Sequence, residues 1–177
     1  MQILALIPAR MESSRYPGKP LEKILDKPMI GHVYDGVRKN PLLTSTVVAT
    51  CDTEIAVYID SINGKHVMTG NHHKRATDRC AEALKILEKR QKIEYDIVIM
   101  VQGDEPMINP EMISEGLNPM INDSSLQIIN LMGRIEKDNE FRDPNVVKVV
   151  CDLAGNALYF SREPIPNQQK IKTNNIF

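Results

Sequence analysis

Apolar and polar positions alternate along the chain in blocks that predict strands and helices in turn. Short apolar or β-branched runs are typical of buried strands. Residues at helical spacing, preceded by Pro or by an N-capping Asp, predict helices. The predicted strands are 3–7, 46–50, 65–69, 95–101, 127–131, 146–151 and 157–160. The predicted helices begin at Pro28, cover 53–62 with Asp52 as N-cap, cover 78–92, and begin at Pro110.

This alternation predicts an α/β fold with a mostly parallel sheet covered on both faces. Ligands of such sheets bind beyond the carboxyl ends of the strands. Two polar loops leave predicted strand ends, at 8–20 and at 102–106. We therefore expect the functional chemistry in these two loops.

The first loop carries three cations, Arg10, Arg15 and Lys19. Small residues in it let a backbone approach a ligand, and fixed cations with backbone N–H groups form an anion cradle. It is not a Walker A loop, because Pro20 follows Gly18-Lys19 and the earlier Gly is lacking. A solvated basic loop is the alternative, and the position after the first strand favours phosphate binding.

The second loop places Asp104 and Glu105 just after the most apolar predicted strand. Mg²⁺ prefers a few carboxylates together with waters and substrate phosphate oxygens. Asp104 facing a phosphate cradle fits that role, and a simple turn aspartate is the alternative.

A third polar segment, 71–79, contains two adjacent His residues and several cations. His72 and His73 point apart in an extended chain, which disfavours a zinc site. A basic loop beside a nucleotide is the preferred interpretation, and an exposed run of charges is the alternative.

Composition and cysteine content exclude several classes of protein. The 177 residues carry a net charge of −1, 42% hydrophobic and 25% charged residues, which predicts one ordinary globular domain and disfavours a nucleic-acid binder. No apolar run reaches the ~20 residues of a membrane span, and the N-terminus does not resemble a signal peptide. The three scattered cysteines, Cys51, Cys80 and Cys151, predict buried free thiols in a reducing cytoplasm.

Four segments in order carry a family resemblance. Residues 7–21 (IPARMESSRYPGKPL) resemble the opening of the sugar cytidylyltransferases, and 101–108 (VQGDEPMI) resemble the 3-deoxy-manno-octulosonate cytidylyltransferase branch. Residues 143–150 (DPNVVKVV) and 157–162 (ALYFSR) are similar to later segments of that branch. The resemblance implies a three-layer α/β/α, Rossmann-like nucleotide-diphospho-sugar transferase fold.

The resemblance also implies a reaction in which CMP passes from CTP to the anomeric hydroxyl of an acidic 3-deoxy sugar, releasing pyrophosphate. Arg10, Lys19 and Asp104 would be the catalytic residues, with Asp104 holding Mg²⁺. Gln102 would lie between base and sugar, and Arg162 would meet the sugar carboxylate, which an Arg fork can bind twice. The nucleotide-binding residues would be Ala9, Arg10, Ser13, Arg15, Lys19, Arg75, Ala76, Arg79 and Gln102.

The sequence departs from the family pattern in two places. Arg75 and Ala76 stand where the family has a Ser-Gly pair near the base, which leaves base and sugar choice open. The chain also stops before a His-x-Gly-x-Tyr segment and a second acidic metal ligand. We therefore expect one incomplete domain, with a nucleotide-binding half at 1–110 and a partial sugar-binding and dimerisation half at 111–177. A fragment, a truncated product and a short natural form all remain open.

The resemblance further implies a homodimer that pairs through 145–166. Two alternatives to Kdo transfer remain. One is transfer to a related acid, such as 8-amino-Kdo or a nonulosonate. The other is a nucleotide-binding module without turnover.

Overall fold

A four-stranded parallel sheet forms the centre of the first of two structural units, Met1–Asn130 and Leu131–Phe177. The structure is a computed structural model that describes residues 1–12 and 16–167. In chain order, the elements of the first unit are β1 (Ile3–Ala9), a 3-10 turn (Lys19–Leu21), β2 (Lys23–Ile24), β3 (Lys27–Pro28), α1 (Met29–Arg38), β4 (Ser45–Thr50), α2 (Thr53–Ser61), β5 (His66–Met68), α3 (Ala76–Gln91), β6 (Ile97–Met100) and α4 (Pro110–Asn122).

The strand order in this sheet is β5-β4-β1-β6, and every neighbouring pair is parallel. Leu4 of β1 is paired with Ser45 on one side and with Val98 on the other. β1 is buried along its whole length, as its unbroken apolar sequence predicts. The predicted parallel α/β architecture is confirmed.

The two faces of β1 pack against two separate hydrophobic clusters, because successive side chains of a strand point to opposite faces. Ile3, Ala5 and Ile7 join the cluster that contains buried residues of α1, α2 and α4. Leu4 and Leu6 join the cluster that contains buried residues of α3. Helices therefore cover both faces of the sheet, which gives three layers.

Element boundaries differ from the predictions where local contacts replace sequence signals. Pro28 precedes α1 as its N-cap residue instead of opening the helix, because Pro28 belongs to the short β2–β3 ribbon. α3 begins at Ala76, two residues before the predicted start. Asp52 is the N-cap residue of α2, but its carboxylate makes no capping hydrogen bond there. It accepts the Met11 N–H at 2.8 Å instead.

The second unit contains α5 (Asp138–Arg142), which was not predicted, and β7 (Lys148–Cys151) and β8 (Ala157–Ser161), which were. β7 and β8 form an antiparallel pair of their own, outside the parallel sheet. The predicted strand at 127–131 is wrong, since the structure gives these residues no regular structure. Ile128 and Leu131 are exposed there, and β-forming residues without a pairing partner do not make a strand.

The three cysteines are free, as expected, but only Cys80 is fully buried. Cys51 and Cys151 are half-buried, which corrects the prediction of three buried thiols. Among the helices within residues 1–12 and 16–167, none is long and apolar enough to cross a membrane.

Candidate functional site

The order of the parallel strands reverses at β1. From β1 the chain passes to β4 and β5 on one side, and then returns to β6 on the other side. In sheets of this kind the reversal opens a crevice between the loops that follow the two adjacent strands on either side of it. Here those loops follow Ala9 of β1 and Met100 of β6, and they are the two loops in which the sequence predicted chemistry.

Lys19 and Asp104 meet across this crevice. The Lys19 Nζ donates to Asp104 Oδ2 at 2.7 Å. Both side chains keep about half of their surface in solvent, 42% for Lys19 and 50% for Asp104. An ion pair this exposed contributes little stability, so it leaves both charges available to a ligand. The fold thus brings a predicted phosphate-binding cation and a predicted metal-binding carboxylate together.

Gly103 allows the second loop to lie directly on the end of β1. A Cβ atom at this position would be 2.6 Å from the backbone oxygen of Pro8, closer than real Cβ contacts come. The backbone N–H of Val101 also donates to the Leu6 oxygen at 3.0 Å. This close approach fixes the start of the loop that carries Gln102 and Asp104, both of which are exposed.

The first loop is anchored at both of its ends. The Met11 N–H donates to Asp52 at 2.8 Å, which ties the exit of β1 to the start of α2. The Gly18 N–H donates to the Met11 oxygen at 2.9 Å, and Gly18 adopts a φ of 78° that favours glycine. Arg10 lies between β1 and these anchors with its side chain exposed. Of the other predicted residues, Ala9 is buried at the end of β1, while Ser13 and Arg15 lie outside the described residues.

Side chains of α3 hold the segment between β5 and α3. Glu82 Oε2 accepts the Gly70 N–H at 2.8 Å and lies 2.5 Å from His73 Nε2. The Gly70 N–H and His73 together lower the pKa of the Glu82 carboxyl, the backbone bond being the larger cause. The predicted interpretation of His73 as part of a basic nucleotide-facing loop is therefore modified: its ring is paired with a carboxylate of the same unit.

Arg79 and Glu82, both on α3, together hold the segment around Gly70, and we call this pair of α3 residues the clamp. Its side chain is only 3% exposed, and Nη1 donates to Thr69 Oγ1 at 2.6 Å and to the Gly70 oxygen at 3.2 Å. Arg79 thus holds the backbone of this segment, and its Nη2 is buried without a protein partner. Arg75 is exposed immediately before α3, and Ala76 is partly buried at its first position.

Arg162, the predicted sugar-binding residue, lies in the second unit just after β8. Its Nη1 donates to the Pro144 oxygen at 2.8 Å and to the Asn145 oxygen at 3.2 Å. The side chain is exposed. The 143–150 segment and the 157–162 segment, which the sequence comparison singled out separately, are therefore in direct contact.

The oxygen ligand of Asp104 suits a hard cation whose other ligands are waters and substrate phosphate oxygens. Within residues 1–12 and 16–167 no group of three or more His, Cys, Asp or Glu side chains could hold a metal. Mg²⁺ needs only one or two carboxylates when substrate phosphates and waters complete its shell. One exposed carboxylate beside a lysine fits that mode, and it does not fit a metal caged by protein alone.

The parallel sheet, its reversal at β1 and the paired loops define a Rossmann-like α/β protein with its ligand crevice at the carboxyl edge. The chain belongs to the cytidylyltransferase family, whose model matches residues 4–176. It is 45% identical over 167 residues to the 3-deoxy-manno-octulosonate cytidylyltransferase of Geobacter metallireducens, and 46% identical over 166 residues to that of Pelobacter propionicus. The family resemblance drawn from the sequence is confirmed.

One solved structure agrees with this assignment, and a second agrees with the fold. A CMP:2-keto-3-deoxy-manno-octonic acid synthetase complexed with CTP has a TM-score of 0.86 and 40% identity, covering 96% of this chain and 68% of that one. A 4-diphosphocytidyl-2C-methyl-D-erythritol synthase, at 18% identity and a TM-score of 0.58, shares the fold alone. The alignment with each of the two curated relatives spans 94% of this chain but only 63% of the relative's length.

Three residues that shape this site were missed by the sequence analysis in these roles: Asp52, Glu82 and Gly103. The sequence indicated Asp52 only as a helix cap. Gly103 stands between Gln102 and Asp104, and a glycine within a site loop is a recognisable sign of close backbone approach. Glu82 gave no signal, because a charged residue on a helix normally predicts an exposed position.

Proposed function

We propose that this chain provides the nucleotide-binding part, and a portion of the sugar-binding part, of a 3-deoxy-manno-octulosonate cytidylyltransferase. The reaction moves CMP from CTP to the anomeric hydroxyl of Kdo and releases pyrophosphate, for lipopolysaccharide biosynthesis. The observation that carries the proposal is the 2.7 Å pairing of Lys19 with Asp104 at the reversal of the sheet. The 45% identity to enzymes of that name supports the choice of substrates.

In this proposal the first loop binds the triphosphate. Arg10 and Lys19 place two cations beside the carboxyl end of β1, and Ser13 and Arg15 belong to the same loop. Phosphoryl transfer is accelerated mainly by positioning and by neutralising charge on the phosphate oxygens. The cations would therefore stabilise the leaving pyrophosphate, and the bonds of Met11 to Asp52 and Gly18 would hold the two ends of this loop.

The segment from Thr69 to Ala76 would face the base. Arg75 and Ala76 stand at the start of α3, held by the Glu82 and Arg79 bonds to Gly70. Gln102 would lie between base and sugar. Arg162 would bind the sugar carboxylate with the donors that its contacts to 144 and 145 leave free.

Asp104 would hold Mg²⁺ together with phosphate oxygens of CTP. A bound divalent ion would neutralise phosphate charge and lower the pKa of an attacking hydroxyl. Lys19 would then transfer its hydrogen bond from Asp104 to the triphosphate. The exposed carboxylate supports this assignment, since it can exchange one cation for another at small cost.

We further propose that the protein works in the cytoplasm, where CTP is available, as a homodimer paired through 145–166. The exposed apolar residues Leu158, Tyr159 and Phe160 of β8 support pairing of that surface.

One alternative has an observation of its own. Arg75 and Ala76 in place of the family Ser-Gly pair favour a related acid, 8-amino-Kdo or a nonulosonate. A nucleotide-binding module without turnover is the other alternative, and the same experiment tests it.

Pyrophosphate release from CTP and Mg²⁺ tests the proposal, with purified protein and Kdo, 8-amino-Kdo or a nonulosonate. The control omits the sugar. Release that depends on Kdo is expected, and release with another acid alone would reassign the substrate. CTP binding without pyrophosphate release in the presence of any sugar would favour the binding module. The absence of both CTP binding and pyrophosphate release would overturn the proposal.

A further inference from the structure

Lys148 is a buried cation that the proposed reaction does not use. Its side chain is 1% exposed and lies at the start of β7. Its Nζ donates to the backbone oxygens of Asp143 and Val146, each at 2.8 Å, and to that of Arg162 at 2.5 Å. All three ammonium donors are therefore satisfied by carbonyl groups, and no carboxylate in the described part of the chain bonds to this charge.

Arg162 completes the same arrangement. Its Nη1 takes the oxygens of Pro144 and Asn145, the two residues between those that Lys148 binds. Four successive carbonyls, 143 to 146, are thus bound by two cations. The turn itself is closed by the Asp143 carboxylate, which accepts the Asn145 N–H at 2.7 Å. A buried charge is costly unless its bonds are fully made, so the Lys148 ammonium requires its three carbonyl partners in these positions.

This arrangement leaves one edge of the Arg162 guanidinium without a hydrogen-bond partner in the described part of the chain. Nη1 is occupied, whereas Nε and Nη2 have no partner among residues 1–12 and 16–167. Nε and Nη2 lie side by side on one edge of the planar group and match the two oxygens of a carboxylate. The anchored Arg162 therefore presents a two-donor fork, as an acidic ligand requires.

We propose that Lys148 is the positioning residue for Arg162, and that it orients the Nε–Nη2 edge toward the carboxylate of an acidic sugar. It acts on Arg162 from two directions, through the Arg162 backbone oxygen and through the 143–146 turn that holds Nη1. The ligand part of this inference rests on the proposed function, while the anchoring of Arg162 does not.

The experiment compares wild-type protein with Lys148→Met, which keeps the length of the side chain and removes the charge. Lys137→Met is the matched control, since Lys137 is an exposed lysine of the same unit. The first readout is the arginine side-chain NMR signal of Arg162, assigned by its loss in Arg162→Lys. Slow rotation about the Nε–Cζ bond gives separate Nη signals, and fast rotation merges them.

Separate Nη signals are expected in wild type and in Lys137→Met, and merged signals in Lys148→Met. The second readout is kinetic. The KM for the sugar acid should rise about tenfold or more in Lys148→Met, as for one lost charge-assisted hydrogen bond, while the KM for CTP changes less than about twofold. A purely structural role would lower the melting temperature and leave both KM values unchanged.

Unchanged Arg162 signals in folded Lys148→Met would overturn the proposal. So would an unchanged KM for the sugar acid in a protein that turns over. If wild type shows no turnover with any acid, the proposed function fails, and the NMR comparison alone decides the role of Lys148. If Lys148→Met does not fold, Lys148→Arg replaces it. A planar guanidinium cannot direct donors to the same three oxygens, so the Nη signals should still merge, and separate signals there would also overturn the proposal.

Discussion

Lys19 and Asp104 are 85 positions apart in the sequence, yet the Lys19 Nζ and Asp104 Oδ2 atoms lie 2.7 Å apart. The parallel sheet causes this proximity, because β1 and β6 are hydrogen-bonded neighbours that end at the same edge. Each residue follows one of these strands in a loop. The pair therefore marks the place where phosphate and metal chemistry meet in the proposed reaction.

Asp104→Asn should abolish metal-dependent pyrophosphate release and leave the fold intact. The carboxylate is the proposed metal ligand, so we expect turnover to fall by about two orders of magnitude or more. The free energy of unfolding should change by less than about 1 kcal/mol, because the ion pair is exposed. Glu105→Gln, which removes the neighbouring exposed charge, is the control for both assays. A turnover rate equal to wild type in Asp104→Asn would remove Asp104 from the site.

Lys19→Met should weaken CTP binding by about tenfold or more, since it removes a cation from the triphosphate loop. Titration calorimetry with CTP measures this effect. Lys23→Met is a matched control, because Lys23 is exposed only four positions further along the chain. Equal losses in both variants would indicate a general effect of charge and would contradict a specific contact at Lys19.

Gly103→Ala should destabilise the protein by about 1–3 kcal/mol, as overpacking typically does. The added Cβ would come within 2.6 Å of a backbone oxygen, which cannot move without shifting the end of β1. Turnover should fall with stability, because the loop carrying Asp104 is displaced. In Gly133→Ala no heavy atom lies within 4 Å of the new Cβ, so chemical unfolding should resemble wild type. A wild-type unfolding curve for Gly103→Ala would show that the loop is not held against β1.

Glu82→Gln should reduce stability at neutral pH and matter less in acid. Bonds from Gly70 and His73 lower the pKa of Glu82 in the folded state below its ordinary value of 4.5. A lowered folded pKa contributes stability that is present above the ordinary value and is lost as the pH falls below 4.5 through the folded pKa. Unfolding free energies of wild type and variant, measured from neutral pH down to this acidic range, should converge. A difference that grows in acid would contradict the clamp.

Cys80 should resist alkylation in the native protein. Burial raises the pKa of its thiol to about 11, and the nearby Arg79 charge offsets this only in part. At pH 8 the reactive thiolate is scarce and the side chain is 7% exposed. Iodoacetamide labelling read by mass spectrometry should modify the half-buried Cys51 first, and Cys80 only after denaturant is added. Labelling of Cys51 and Cys80 at one rate would argue against this packing.

Local sequence patterns predicted most elements of the first unit. The run from Ile3 to Ile7 lies in β1, and the helical spacing after Pro110 corresponds to α4. The prediction failed at 127–131, because a strand depends on a partner that the segment does not have in the described structure. Arg79 is buried with its Nη1 turned inward toward Thr69 and Gly70, which no local pattern predicts. The assignments of individual site residues to CTP, sugar and metal stay predictions.

The sequence by itself determined the α/β pattern, the two polar loops and the family, because periodicity and motif order are written along the chain. Only the tertiary structure decided which charges are paired and which are buried. The Asp52 carboxylate accepts a hydrogen bond from the loop after β1 instead of capping its helix. The Lys148 ammonium donates to three backbone oxygens, including that of Arg162, instead of facing solvent. The physical reason is that a hydrogen bond between distant segments depends on strand order and loop geometry, and no local pattern records either.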